Sequence, residues 1–370
     1  MKGNLYKGLQ ENIYSWLNKS IRTGLVDLED EDVSLGSSLG KRSENQDCVV
    51  YYRFNFRNAH EKSLLGLILC DGMGGMVGGG DCTSLAISTF LSSLVKNYKK
   101  SLSENLLSAV CDSNDSVFEQ YKGKGGTTLS SITFDRSSCV AANVGDSRIY
   151  RVLNDDTVEQ LTLDDTLERK LSDLNLPSPP RELMQLMQFI GMGKDLDFSP
   201  IPINMDARNS YFILTSDGAH NYVSPEIFRD ILLNATSCRD ITNRLVTLSE
   251  WLGGKDNATV GVLTPATYSS LGQQQSNESG SLEIWGMSGK VQFVSFNQTK
   301  YDTNSSNNEE EIEESLENHR DTVKVDSSMK KPKKKSKQLP GNSRKLKSLD
   351  ETSATVVDIK FPEEEEDIVW

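Results

Sequence analysis

The sequence predicts an α+β domain in which a sheet core is flanked by helices. Between about residues 32 and 264, short β-rich runs alternate with turn clusters, and two blocks of amphipathic helix interrupt them. After Thr264 the composition changes to polar runs and blocks of like charge, which repel one another and cannot form a core. A chain of 370 residues is long enough for one large domain and a further segment.

Residues 1–30 are predicted to form an N-terminal amphipathic helix extension. Their apolar side chains recur at helical spacing along one face. We expect this face to pack on the main domain, because the polar face is not basic enough to favour a membrane surface, and a partner helix is the other alternative. The residues of this face are Leu5, Leu9, Ile13, Trp16, Leu17 and Ile21.

The predicted elements of the main domain follow from two periodicities. Strands are indicated by runs rich in β-branched and aromatic residues, and helices by apolar residues three and four positions apart. The strands are Cys48–Phe54, Ser63–Cys70, Leu129–Phe134, Cys139–Val144, Arg148–Leu153, Tyr211–Thr215 and Thr259–Leu263, and the helices are Cys82–Lys99, Leu102–Tyr121, Pro225–Leu233 and Ile241–Leu252.

Residues 266–370 are predicted to be a low-complexity charged tail that is largely disordered. Residues 281–296 are an exception, since their apolar pattern allows a hairpin that turns at Met287–Gly289. The basic run Lys330–Lys337 lies between acidic blocks and is interpreted as solvated charge rather than a nuclear-localisation or nucleic-acid patch. Trp370 ends this charged segment, which motivates the hypothesis that the tail docks a protein partner.

Composition excludes several classes of function. A formal net charge of -13 argues against general nucleic-acid binding, and no apolar run is long enough to cross a bilayer or to act as a signal peptide. We therefore expect a cytoplasmic protein whose six widely spaced cysteines are reduced. Three histidines are too few for an imidazole zinc site or a histidine-centred hydrolase to be expected, so hydrolytic chemistry falls to carboxylates.

Four aspartates lie at the ends or starts of apolar strands: Asp71, Asp146, Asp217 and Asp256. Taken singly, an Asp-Gly pair is only a turn signal. Several carboxylates brought together without basic partners would repel one another unless a cation lay among them, and oxygen ligands select Mg²⁺ or Mn²⁺. Two such ions can activate one water and stabilise an in-line displacement at phosphorus.

Arg42 is the candidate for binding the phosphate. It lies just before a strand and close to a fifth aspartate, Asp47. A guanidinium group can hold two phosphate oxygens at once, which an ammonium group cannot reproduce. If it stood alone, Arg42 would be read as an ordinary surface arginine.

Six short motifs follow one another between residues 35 and 264. They are Arg42-Ser43-Glu44-Asn45-Gln46-Asp47, Asp71-Gly72-Met73-Gly74-Gly75, Gly126-Thr127-Thr128, Gly145-Asp146-Ser147-Arg148, Ser216-Asp217-Gly218 and Asp256-Asn257-Ala258-Thr259. In this order they resemble the bacterial-type members of the metal-dependent protein phosphatases of type 2C. The resemblance implies a four-layer β-sandwich of two antiparallel sheets flanked by helix pairs, with a catalytic domain over residues 31–265.

The resemblance also implies an activity, namely hydrolysis of phosphoserine and phosphothreonine on proteins by a water that two Mn²⁺ or Mg²⁺ ions activate. It implies a phosphoprotein substrate, a cognate serine/threonine kinase as a candidate partner and a monomeric state. Arg42 would hold the phosphate, and Asp146 with Asp217 would hold a weaker third ion. The implied ligands of the two-metal centre, directly or through bound waters, are Asp47, Asp71, the Gly72 carbonyl, Asp217 and Asp256. The implied scaffold residues are Gly126, Thr127, Thr128, Ser147 and Arg148.

The sequence departs from the family pattern at a few positions. Gln46 stands where many members have glutamate, and its side chain can still accept a hydrogen bond from a metal-bound water. Met73 stands where animal members have the histidine that is thought to protonate the leaving group. Asp165 stands in a histidine position, which puts the local packing in doubt. His220 follows Asp217 closely and is interpreted as structural more readily than as catalytic. The segment Leu171–Gly193 corresponds to a variable flap in which substrate preference is expected.

Two other functions were weighed against this one. A pseudophosphatase that only binds phosphoproteins is disfavoured because none of the metal-ligand aspartates is lost. A metal-dependent nuclease or nucleotide hydrolase shares two-metal chemistry, but the glycine-rich run Gly72–Gly80 lacks the Gly-Lys-Ser/Thr ending of a phosphate loop.

Overall fold

The computed structural model describes residues 2–28, 32–56, 63–174, 176, 185–205, 209–264, 267, 280–294 and 355–358. All of them belong to one compact unit formed by residues 1–296 and 353–370. The predicted charge runs of the tail, its disorder and the docking role of Trp370 lie outside the described residues, as do residues 177–184 of the flap.

Seven helices are present in the described part of the chain, and the third, fourth, sixth and seventh start at a serine or threonine whose side chain caps the helix. At the start of the third, the Ser101 hydroxyl accepts from the Glu104 N–H while the Glu104 carboxylate accepts from the Ser101 N–H. Ser224, with Pro225 at the first helical position, starts the sixth in a similar way. The helices are α1 (Lys2–Lys19), α2 (Gly79–Lys96), α3 (Leu102–Tyr121), α4 (Leu167–Asp173), α5 (Asp217–His220), α6 (Pro225–Leu233) and α7 (Cys238–Trp251).

The described strands, numbered along the chain, form two sheets. They are β1 (Gly24–Leu28), β2 (Val33–Ser38), β3 (Cys48–Asn55), β4 (Leu64–Cys70), β5 (Leu129–Phe134), β6 (Cys139–Val144), β7 (Arg148–Leu153), β8 (Val158–Gln160), β9 (Ile201–Ile203), β10 (Asn209–Thr215), β11 (Ala258–Leu263), β12 (Ser281–Gly286), β13 (Gly289–Val294) and β14 (Thr355–Asp358). The strand order is β1-β2-β11-β10-β7-β8 in the first sheet and β14-β13-β12-β3-β4-β5-β6-β9 in the second.

Alternation along the central strand β4 shows how the layers are built. Leu65, Leu67 and Leu69 are fully buried against the first sheet. Ile68 and Cys70, on the opposite face, are buried under α2 and α3. The outer face of the first sheet is covered in turn by α6 and α7. The layers are therefore helices, sheet, sheet and helices, which confirms the predicted α+β sandwich.

The helix α1 packs on the outside of α2 and adds a third helix to that layer. Leu9, Ile13 and Leu17 are at most 1% exposed, as expected for the apolar face of an amphipathic helix. Ile21 was assigned to the same face, but the helix ends at Lys19 and Ile21 is 64% exposed. Among the described residues, no helix is both long enough and apolar enough to span a membrane.

Both sheets extend beyond the predicted limits of the catalytic domain at residues 31 and 265. On the N-terminal side, β1 pairs with β2. On the C-terminal side, β12 and β13 form the hairpin expected within residues 281–296, and β12 pairs with β3. β14 adds to β13 in parallel, an exception to the antiparallel pairing of the other strands in the described sheets. The assignment of residues 31–265 as the catalytic domain stays a prediction.

Strand register brings distant segments to one rim of the sandwich. β3 and β4 pair with Cys48 opposite Cys70, so Asp47 and Asp71 are neighbours where β3 begins and β4 ends. β10 and β11 pair with Thr215 opposite Val260, so the end of β10 lies beside the start of β11. The predicted aspartates therefore meet at this rim because of sheet geometry.

Candidate metal and phosphate site

Asp47 lies at the centre of the rim and is 1% exposed. Its Oδ2 atom accepts a hydrogen bond from the Ser216 hydroxyl at 2.8 Å, which ties the two sheets together. The Ser216 hydroxyl in turn accepts from the Thr259 N–H at 2.9 Å. The Asp47 Oδ1 atom is buried and has no hydrogen-bond partner among the described residues. Such an oxygen is costly to bury unless a ligand reaches it.

The main chain around Asp71 is fixed by the segment that precedes β5. The Thr128 N–H donates to the Asp71 carbonyl at 2.9 Å, and the Asp71 N–H donates to the Thr128 hydroxyl at 3.0 Å. The Thr127 hydroxyl also donates to the Asp71 carbonyl at 2.8 Å, and the Thr128 hydroxyl contacts that of Ser147 at 2.8 Å. The main chain of Asp71 is therefore held by threonines that were predicted to be scaffold residues.

The other aspartates enter from the loops around the rim. Asp146 lies between β6 and β7, Asp217 begins α5, and Asp256 precedes β11. The close approach of α5 to the Asp256–Asn257 segment requires glycine at position 218, because a Cβ atom there would be 1.9 Å from the Asn257 carbonyl oxygen.

Burial and mutual repulsion control the charges of these carboxyl groups. Burial raises the pKa of Asp71 well above its ordinary value, and the charges of Asp47, Asp217 and Asp146 raise it further. Burial, followed by the charges of Asp146 and Asp256, raises the pKa of Asp217 to about 7. Burial also raises the pKa of Asp146 to about 6. The cluster is therefore unfavourable as a set of free anions.

The chemistry of this donor set fits a hard divalent cation. A cation among the carboxylates would offset their repulsion and would give the unpaired Oδ1 atom of Asp47 a partner. In the part of the chain that the structure describes, no three acidic, cysteine or histidine side chains are arranged so that they could hold a metal ion by themselves. Main-chain carbonyls and water would therefore complete the ligand set, and the Gly72 carbonyl is the nearest candidate in sequence.

Arg42 lies at the edge of the cavity and pairs with Asp256. Its Nη2 atom is 2.7 Å from the Asp256 carboxylate, and its side chain is 48% exposed. Because this contact uses a single nitrogen atom, other guanidinium donors remain available for an anion. The structure therefore brings Arg42 to the same rim as the aspartates.

Arg42 and four of the aspartates, Asp71, Asp146, Asp217 and Asp256, border a cavity of about 520 Å³, whereas the buried Asp47 is not one of its lining residues. Gln46 and Met73 contribute to its wall, and so do Gln185 and Leu186 from the predicted flap. Its other lining residues are Ser43, Glu44, Gly72, Gly74, Gly75, Thr128 and Asn257.

Two asparagines that sequence reasoning did not single out hold this rim in place. The Asn257 side chain accepts from the Gln46 N–H at 2.9 Å and donates to the Leu39 and Glu44 carbonyls. The Asn45 Oδ1 atom accepts from the Asp47 N–H at 3.1 Å. Both residues lie within the six motifs and within two residues of a candidate ligand. That position is the feature of the sequence that could have indicated their role.

Asp165 is well accommodated, although its identity had put the local packing in doubt. Its carboxylate accepts from the Gly145 N–H at 3.0 Å and from the Gln188 side chain at 3.2 Å. His220, by contrast, is 5% exposed, bonds to the Thr215 hydroxyl at 2.9 Å and does not line the cavity in the described structure. This position supports the structural interpretation of His220.

Similar proteins are found among bacterial phosphatases, although no family model matches the chain. A putative protein phosphatase of type 2C from Streptococcus pyogenes is 28% identical over 250 residues, which cover 62% of this chain and 96% of that protein. A serine/threonine phosphatase structure from S. agalactiae matches with a TM-score of 0.54 and 27% identity, over 63% of this chain and 98% of that one. The chain is therefore similar to bacterial protein phosphatases of type 2C over nearly the whole length of these two proteins.

The similarity extends to a phosphatase structure that holds metal ions. The catalytic domain of the serine/threonine protein phosphatase PstP, solved in complex with two manganese ions, matches with a TM-score of 0.51 and 27% identity. The match covers 62% of this phosphatase and 96% of that chain. The predictions of family and of enzyme class, a protein serine/threonine phosphatase, are thereby confirmed.

Proposed function

We propose that the phosphatase hydrolyses phosphoserine and phosphothreonine residues of proteins, using a water activated by two divalent cations. The observation that carries the proposal is the convergence of Asp47, Asp71 and Asp217, whose pKa values are all raised, above all by burial, beside a cavity that Asp71, Asp217 and Arg42 border. Cations of the Mn²⁺ or Mg²⁺ type, when bound, would lower the pKa of a water and neutralise charge that develops on the phosphate.

The carboxylates of Asp47, Asp71, Asp217 and Asp256, with the Gly72 carbonyl, would hold these ions, directly or through water. Asp47 is suited to this role because one oxygen is fixed by the Ser216 hydroxyl while the other has no described partner. Asp146 is proposed as a ligand of a weaker third ion together with Asp217.

Arg42 would bind and orient the phosphate. Its pairing with Asp256 holds the guanidinium group at the cavity edge, and its remaining N–H groups can donate to phosphate oxygens. A phosphate held in this way would have its phosphorus atom fixed for in-line attack, which lowers the entropic part of the barrier.

The size and lining of the cavity agree with a phosphorylated side chain on a protein. Glu44, Gln46 and Gln185 contribute polar groups to its lining, and Met73 and Leu186 add apolar surface. Met73 cannot donate a proton, so protonation of the leaving serine or threonine oxygen would fall to water or to another group.

The proposal is tested by the hydrolysis of p-nitrophenyl phosphate and of a phosphothreonine peptide with Mn²⁺, Mg²⁺ or EDTA. We expect turnover that needs a divalent cation and that falls by at least about 100-fold in Asp217→Asn, a loss in the range of a removed metal-site partner. Glu11→Gln is the matched control, because Glu11 pairs with Lys7 on the exposed surface of α1, outside the cavity and the flap.

Two results would reject the proposal. Turnover that persists in EDTA would exclude the cation requirement. Absence of turnover with every cation, in a protein that still binds the phosphopeptide, would favour the phosphoprotein-binding alternative.

A further inference from the structure

Arg22 lies between the N-terminal helix and the metal site, in a segment that the family motifs do not include. The half-buried guanidinium group of Arg22 reaches the start of α2, where its Nη2 atom donates to the Gly80 carbonyl at 2.6 Å and to the Ser84 hydroxyl at 2.5 Å. Its Nη1 atom donates to the Thr83 hydroxyl at 2.7 Å. These contacts fix one side of Arg22 to the first turn of α2.

The other side of Arg22 faces the segment that carries Asp47. The Nη1 atom is 3.4 Å from both the Gln46 and the Asp47 carbonyl oxygens. The Arg22 carbonyl accepts from the Asn45 side chain at 3.0 Å, and the other end of that side chain accepts from the Asp47 N–H. Arg22 and Asn45 therefore hold the Gln46–Asp47 peptide from both sides.

The two segments that Arg22 joins also meet at Gly72. A Cβ atom at Gly72 would be 2.6 Å from the Gly79 carbonyl group and 3.0 Å from the Gln46 side chain. Gly72 is thus packed directly between the start of α2 and Gln46, with no space for adjustment. The separation of these two segments sets the place of Gly72 and of its carbonyl.

We propose that Arg22 is a positioning residue for the metal centre, because it sets the separation between the Gln46–Asp47 segment and α2 and so places Asp47 and the Gly72 carbonyl. This inference rests on the proposed function, in which those two groups are ligands. Each described hydrogen-bond acceptor of Arg22 is a carbonyl or hydroxyl oxygen, so its planar fork is used for geometry.

The test is a calorimetric titration of Mn²⁺ into the full chain as wild type, Arg22→Ala, Arg22→Lys and Arg239→Ala. Arg239 is the control, since its side chain pairs with Asp27 of β1 at 3.6 Å and so also contacts the N-terminal segment. We expect Arg22→Ala to weaken Mn²⁺ binding by roughly 10- to 100-fold, as for other residues that orient metal ligands. Arg22→Lys should lie between this variant and wild type, and Arg239→Ala should bind as wild type does.

A second measurement separates positioning from general destabilisation. Activity is measured at increasing Mn²⁺ concentration, and saturating Mn²⁺ should return most of the turnover of Arg22→Ala. Wild-type Mn²⁺ affinity in a folded Arg22→Ala protein would overturn the inference while leaving the proposed function intact. If that variant does not fold, wild-type affinity in Arg22→Lys overturns it in the same way. Absence of Mn²⁺ binding by the wild type would overturn both proposals.

Discussion

At the scale of single residues, Asn257 shows how the rim depends on a side chain that touches no substrate. The residue is 5% exposed, and both ends of its amide are used, one to accept from the Gln46 N–H and one to donate to the Leu39 and Glu44 carbonyls. An aspartate here would lack the donors, and an alanine would leave three main-chain groups without this partner.

We expect Asn257→Ala to lower the free energy of unfolding by about 1–3 kcal/mol, because the half-buried Gln46 N–H would lose its acceptor. Urea unfolding followed by circular dichroism measures this loss. Asn234→Ala is the control, since that amide bonds only to the Asp230 carbonyl at the exposed end of α6. Equal losses in the two variants would contradict a special role for Asn257.

Asp165 acts on the wall of the cavity in a comparable way. By accepting from the Gly145 N–H and from Gln188, its carboxylate joins the segment next to Asp146 to the segment that carries Gln185 and Leu186. An acidic residue in this position is therefore consistent with an ordered cavity wall.

Asp165→Ala should raise the KM for a phosphopeptide by up to about tenfold, because a lost hydrogen bond of roughly 1.4 kcal/mol loosens the wall that the peptide contacts. Steady-state kinetics with the phosphopeptide and with p-nitrophenyl phosphate give the measurement, and the smaller substrate should be affected less. Glu11→Ala, on the exposed surface of α1, serves as the control. A fall in kcat with unchanged KM would point instead to a disturbed metal site.

At the scale of secondary structure elements, α1 is fixed to α2 and α3 by one carboxylate. Asp81, in the first turn of α2, accepts hydrogen bonds from the Tyr14 and Tyr121 hydroxyls and, at 2.8 Å, from Asn18. Partial burial raises the pKa of Asp81, but these hydrogen bonds outweigh that effect and lower the pKa below its ordinary value.

A lowered pKa in the folded state means that Asp81 stabilises the protein above its unfolded pKa of about 3.9 and loses this effect as the pH falls through the folded value. We expect Asp81→Asn to be less stable than wild type at pH 7, and the difference to shrink as the pH falls below about 4. Guanidinium unfolding across this range measures it. Glu119→Gln on the exposed side of α3 should show no such convergence.

The hairpin of β12 and β13 is the second element with a testable role. Leu282, Ile284, Val291 and Phe293 are at most 1% exposed in the core under α1 and α2. Lys290 pairs with Glu283 at 2.7 Å and lies over the Trp285 ring. The hairpin also covers an edge of β3, which would otherwise present unpaired main-chain groups.

Truncation after Thr264 should therefore lower thermal stability and promote aggregation, since it would expose the edge of β3 and remove these buried side chains. Truncation after Val294 keeps the hairpin and loses β14, a short strand at the edge of the sheet, so it should lower the melting temperature much less. Differential scanning calorimetry and light scattering distinguish the two proteins. Equal behaviour would show that the hairpin contributes little to the domain.

At the scale of the whole molecule, the metal site and the fold are linked through the rim where the two sheets meet. Mn²⁺ that binds only the folded state should raise the free energy of unfolding by about 2.7 kcal/mol at a concentration 100 times its dissociation constant. Thermal unfolding with and without Mn²⁺ measures this. Asp71→Asn should show a much smaller response, and a full response in that variant would remove Asp71 from the proposed ligands.

Much of this architecture could be predicted from sequence, because periodicity marks the elements that bury apolar side chains. Strands such as β4 and helices such as α3 were located within a residue or two. β2 was missed because Val33–Ser38 is rich in small polar residues, although every one of them is buried. α2 begins at Gly79 rather than Cys82, since its first turn contains glycines that disfavour a helix in isolation.

The residues of the candidate site likewise fall into those that the sequence reveals and those that only the folded structure reveals. The aspartates and Arg42 could be named from motifs, because their chemistry is visible in the sequence. The role of Arg22 could not, because it depends on tertiary contacts with α2 and with Gln46 that have no local signature.

The register that places Cys48 of β3 opposite Cys70 of β4 has a consequence for errors in folding. A slip of β3 by one residue against β4 would move Asp47 by about 3.3 Å and turn its neighbours to the opposite face of the sheet. Such a molecule would still be compact but would have lost the meeting of Asp47 with Asp71. Turnover per mole of protein is therefore a measure of folding fidelity, since misregistered molecules in a preparation would be silent rather than partly active.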